Sequence, residues 1–221
     1  MKDKLKRLAK ISVIKTFMFN LVYFGWGGVR HCYALVSRDV KLAQMNGTIT
    51  SNVPLQTGCI HVGFPNVGII DHKFQRSIWD NSGRIVLNGS VSLGSGARIS
   101  NSGEIEFGNH FNLNANSTIV CTKKISFGDN VLISWDVLLM DTDFHKIYEK
   151  DSIQSQINPP REISIGDNVW IGCRCFIAKG ANIKSGCVVA AQSKVSGTAS
   201  EENAIIGDKM KTIKQNILWK M

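Results

Sequence analysis

His145 lies in the polar run DTDFHKIYEKDSIQSQINPPR (residues 141–161), two residues after Asp143 and four after Asp141. An imidazole, with an ordinary pKa of about 6.5, can take the proton from a weak nucleophile such as a hydroxyl at neutral pH. A neighbouring carboxylate, here Asp143, would hold the ring in the tautomer that the task requires. A solvated loop histidine is the plainer reading, and the element that carries His145 has to decide. His31, His61, His72 and His110 offer no pair at the short spacing of a shared metal site, so they read as solvated or structural, and no metal is expected. The six cysteines show no C-x-x-C pair and no zinc-finger spacing. Reduced thiols in a cytoplasmic chain follow.

The element is a repeat. EIEFGNHFNL from Glu104, KISFGDNVLI from Lys124 and EISIGDNVWI from Glu162 nearly copy one another, with a weaker copy, RIVLNGSVSL, from Arg84. Inside them runs a period of six: Leu87, Leu93, Ile99; Phe107, Leu113, Ile119; Phe127, Ile133, Leu139; then Ile165 to Val195 without a break. Four residues after most of these comes a small or β-branched residue, such as Ala97, Val131, Cys175, Ala181 or Cys187. A helix would drift out of phase with six, and a hairpin meander would turn at irregular intervals. A parallel β-helix fits, with three short strands to a coil of 18 residues and Gly, Asn and Asp at the corners. The copies from Lys124 and Glu162 start 38 residues apart, which leaves residues 141–161 as an insertion. A polar loop of that length leaving a packed solenoid is more often functional than accidental.

This pattern resembles the hexapeptide-repeat acyltransferases over at least residues 85–197, and the resemblance implies an all-β, left-handed parallel β-helix. The winding comes from the resemblance and departs from the usual crossover rule. The run SWDVLLMDTDFHKI is similar to the branch that O-acetylates sugars of surface polysaccharides, as are KTFMFNLVYFG and RSIWDNSG. The resemblance then implies that His145 is the general base for a sugar hydroxyl attacking the thioester of acetyl-CoA, with a backbone N–H available for the oxyanion. Asp136 stands where small-sugar members have an acceptor-side Asn, and would orient His145 or bind the acceptor. Trp135 and Trp79 are further acceptor candidates, although a buried structural role suits Trp79 equally. For the donor, VWIGC implies Trp170, Gly172 and Cys173, and AAQS implies Ala191, small residues that let a pantetheine arm approach. GDKMK replaces a G-x-P-A-K and leaves Lys211 as the contact to a CoA phosphate. The family's donor site lies between subunits of a homotrimer. The rival readings are a non-catalytic scaffold at the membrane surface and an acetyltransferase for a small-molecule acceptor.

Charge marks the ends. The chain has 221 residues and a formal charge of +9, yet residues 42–208 are near neutral and both tails are basic. That distribution suits an anionic membrane surface or a phosphorylated ligand better than nucleic acid. Residues 11–26 are apolar after a basic start, with Ile11, Ile14, Phe17, Met18, Leu21 and Val22 on one helical face. Either that face lies in a bilayer interface, or it packs on its own domain or a neighbouring subunit. The expected divisions are a basic amphipathic segment (1–30), an irregular lead-in (31–84), the solenoid (85–200) and a basic tail (201–221). The expected location is cytoplasmic, with peripheral contact at the inner membrane face.

Overall fold

Each six-residue unit sends one aliphatic side chain inward and then bends at a corner, so the chain can only coil around its own core. The computed structural model describes residues 10–65, 67–68, 71, 74–150, 152–199, 201–208 and 211–216. Within them, three sheets of nine, seven and six strands run along the body, and the chain visits the first, second and third in turn. Strand pairing between coils is parallel throughout, until Thr212–Lys214 closes the first sheet antiparallel. Columns of stacked residues form the core. Leu93, Leu113, Ile133, Ile171 and Val189 align in the first sheet, and Ile99, Ile119, Leu139, Ile177 and Val195 in the second. All are buried, each contributing roughly 1.5–3 kcal/mol of apolar burial. The residues four later, including Ala97, Val131, Cys175 and Cys187, are buried too.

The corners repeat as strictly. Between the first and second sheets, Gly96, Asn116, Asp136, Arg174 and Gln192 occupy one left-handed position, with φ between 58° and 73°. Gly and Asn adopt it cheaply, and Asp nearly so. Residues 141–161 leave between the second and third sheets without disturbing the register, since Ile125 still pairs with Ile163 and Phe127 with Ile165.

Two boundaries need correction. The stretch 31–84 is no irregular lead-in, because Ala34–Val36, Val40–Gln44 and Thr48–Ser51 already open the three sheets. Its corners at 52–59 and 65–76 are wide and break the period of six, which hides the coils. At the other end, Ile205–Ile206 pairs with Val188–Val189, so the solenoid extends into the supposed tail. Residues 1–9, 209–210 and 217–221, where much of the terminal charge lies, fall outside the described residues, as does His72.

A helix, α1 (Val13–His31), seals the first coil. Ser12 caps it, accepting from the Lys15 N–H, and Gly25 kinks it. The Asn20 amide donates to Ala34 O and its oxygen accepts from Ala34 N, at 2.8 and 3.0 Å. Thr16 Oγ1 accepts from Val36 N at 3.0 Å, and Lys15 Nζ donates to Arg38 O and Val40 O at 2.6 Å. These side chains satisfy backbone groups that a preceding coil would otherwise pair.

Candidate active site

The loop is rooted at Asp141, whose side chain is fully buried. Its carboxylate accepts from the backbone N–H groups of Thr122, Lys123 and Lys124 at 2.7–3.0 Å, and from the Thr122 hydroxyl at 3.0 Å. Where the chain returns, the Arg161 N–H donates to Asp141 O at 3.0 Å. Between these points lies a small hairpin, Tyr148–Glu149 against Ser152–Gln156.

Lys179, one coil further on at the same edge, clamps both arms. Its Nζ donates to Asp143 Oδ2 at 2.6 Å and to the carbonyls of Asn158 and Pro159 at 3.0 and 3.4 Å. Asn158 Nδ2 donates to Asp143 Oδ2 and to His145 O at 2.9 and 2.8 Å. The Lys179 and Asn158 hydrogen bonds hold the Asp143 carboxyl below its usual pKa. A depressed carboxylate pKa means that the clamp is intact at neutral pH and is lost as pH falls through the lowered value. Replacing Lys179 with Met should raise tryptic cleavage within the loop about 10-fold while leaving the melting temperature almost unchanged, because only a local opening becomes easier. Equal cleavage rates would show that the clamp does not hold the loop.

His145 sits on this clamped backbone with its side chain exposed, and among the described residues no side chain hydrogen-bonds its ring. Phe144, immediately before it, is 65% exposed and has φ 60°, an outlier for so bulky a residue. Strain of this kind persists only where the surroundings hold it, and here it presents His145 to solvent. The expected pairing with Asp143 is corrected, since that carboxylate serves Lys179 and Asn158. Neither Lys179 nor Asn158 stands out in the sequence until the coils are aligned edge by edge.

The remaining candidates divide by position. Trp135, Asp136, Gly172, Cys173 and Ala191 lie along the edge between the first and second sheets, with Trp170 one step before it. Trp170 Nε1 donates to Ser134 Oγ at 3.0 Å, Arg174 N to Trp135 O at 3.1 Å, and Gln192 N to Cys173 O at 2.9 Å. Lys211, exposed, follows the last strand of the first sheet, where its N–H donates to Asp208 O. Asp136 faces Arg174 at 3.9 Å and lies on a different edge from the His145 loop, so within one chain it does not orient that ring. The space expected beside Gly172 is filled by the next coil, because a Cβ there would meet Ala191 N and Val189 O at 2.7 and 2.8 Å. Trp79 is 3% exposed, donates to the Tyr23 hydroxyl at 2.8 Å and packs edge-on against Phe19. It joins α1 to the solenoid and lines no cleft. Burial pushes the thiols of Cys121, Cys175 and Cys187 up, which makes them poor nucleophiles. Among the described residues, no group of three or more His, Cys, Asp or Glu is placed to hold a metal ion.

No family model matches the chain. Its sequence is 28% identical over 144 residues to WbbJ of Escherichia coli, named as a lipopolysaccharide biosynthesis O-acetyl transferase, covering 61% of this chain and 74% of that one. It is 32% identical over 221 residues to an uncharacterised 24.8 kDa protein in the cps region of Klebsiella pneumoniae, covering 96% and 91%. Other O-acetyltransferases are matched over less than half of their own length. Among solved structures, the polySia-specific acetyltransferase NeuO superposes with a TM-score of 0.57 at 19% identity, covering 85% of this chain and 79% of that one. The fold is therefore a left-handed parallel β-helix. The chain belongs to the hexapeptide-repeat acyltransferase family.

Proposed function

We propose that this chain moves an acetyl group from acetyl-CoA to a sugar hydroxyl of a cell-surface polysaccharide or its precursor, with His145 as general base. The observation that carries this is the exposed, unpaired imidazole on a strained and clamped loop, in a chain whose relatives include named O-acetyltransferases. A scaffold has no use for such a loop. In the reaction, His145 takes the hydroxyl proton as the oxygen attacks the thioester carbonyl, and the CoA thiolate leaves with a proton returned from the ring. CoA release that depends on an added oligosaccharide tests the reading. Failure of every sugar acceptor, with turnover on a small non-sugar alcohol, would overturn the acceptor class.

The site is completed by a neighbouring copy in a homotrimer. Support comes from topology, because the His145 loop and the Trp170–Ala191 edge lie on different edges of one prism. A head-to-tail ring brings unlike edges together at each interface. The loop's outward residues Phe144, Ile147 and Ile157 are more than half exposed in the single chain, as an interface loop requires. In this arrangement Asp136, Trp135, Cys173, Ala191 and Lys211 act on substrates held by the next subunit's loop. Co-expression of two inactive chains, His145→Ala and Ala191→Trp, should restore about a quarter of wild-type activity. In randomly mixed trimers that fraction of interfaces joins an intact loop to an intact edge. No recovery in mixed trimers that demonstrably form would place the site within one chain.

A further inference from the structure

We propose that the outward face of α1 is a docking surface for an anionic lipid bilayer, lying flat in its interface. The helix is inverted relative to an ordinary surface helix. Its buried positions include the polar Thr16 and Asn20, which serve the open edge of the first coil. Between Val13 and Phe24 every exposed position is apolar: Val13, Ile14, Phe17, Met18 and Val22, with exposures of 42–79%. Trp26, beyond the kink, is 73% exposed. Soluble chains seldom leave a stripe like this open, and an indole at its end suits the headgroup level. A groove of about 280 Å³ lined by Ile11, Val13, Phe17, Val29 and Leu35 runs beside the same face, an apolar seat continuous with it.

Charge selects the occupant. From Lys4 to Arg38 the chain carries seven Lys or Arg and no acidic residue. Arg30 and Arg38 are exposed among the described residues. A second copy of this chain would bring the same positive charge against itself, whereas anionic headgroups complement it. No helix among the described residues is long and apolar enough to cross a membrane, so the contact is with the surface.

The test is co-sedimentation of the full chain with phosphatidylcholine vesicles, with and without about 30% phosphatidylglycerol. Binding is expected to the anionic vesicles only, and to fall at least 10-fold at about 0.5 M salt. The double variant Phe17→Glu/Val22→Glu should lose binding at least 10-fold with an unchanged melting temperature, both side chains being already exposed. As a control for folding, Lys41→Glu, on the strand Val40–Gln44, should melt like the wild type and keep most of the binding. Absence of binding by the intact chain, or full binding by the double variant, would overturn the proposal. So would a change in oligomeric state of the double variant without lipid, which would show that a second copy covers the face. Acetyl transfer to a soluble acceptor is a separate readout, and its failure would leave this result standing.

Discussion

His145→Ala is expected to lower turnover about 10²–10⁴-fold, equivalent to roughly 3–5 kcal/mol of barrier, with the fold intact. The expectation rests on three features of the loop. The ring has no hydrogen-bonding side-chain partner among the described residues, so its removal strands no buried group. The loop's shape comes from Lys179, Asn158 and the backbone at Asp141, none of which needs the imidazole. The donor candidates sit on another edge, so KM for acetyl-CoA should change little while kcat falls. Steady-state kinetics with both substrates, together with a melting curve, measure this. Wild-type turnover in the variant would remove His145 from the mechanism.

Asp141→Ala should act on stability instead, costing on the order of 3–5 kcal/mol. Its carboxylate is the shared acceptor for three successive backbone N–H groups, Thr122 to Lys124, at a corner with no room for water-exposed rearrangement. Alanine leaves these donors without a partner beneath the loop, and an unsatisfied buried donor costs more than a hydrogen bond gains. In a chain of this length the melting temperature should drop by about 10 °C or more. Asp141→Asn keeps one acceptor oxygen and should fall between the two. Thermal stability equal to wild type in Asp141→Ala would show that the corner finds other acceptors.

The coils from Arg84 to Val195 are legible in the sequence because each inward side chain must meet the one above it. A slip of one residue would expose a whole column. The same constraint operates from Ala34 onward, but there it acts only on the strands. Val36 still stacks on Val62, and Val62 on Leu93, across corners of unequal length. A count of residues sees the corners, whereas the core sees only the strands. His145 is legible through the length of its loop. Its supports are not, since Lys179 meets Asp143 only after a whole coil has intervened. Trp79 misleads for the opposite reason: it shares an inward column with Ile99, and its indole N–H found Tyr23 on a helix 56 residues away. The helix misleads in its orientation, because the backbone groups at the open end of the first coil draw its polar side inward, a demand invisible in a hydrophobic pattern.

That open end matters for the fate of many copies together. A parallel stack adds coils by exposing the same backbone template that received the last one, so an uncovered first coil could accept the last coil of another molecule and grow without limit. Asn20, with one amide donating to and accepting from Ala34, occupies the hydrogen-bonding positions that such an incoming strand would use. One side chain on α1 thereby sets the length of the solenoid and keeps a repeating architecture from becoming a fibre.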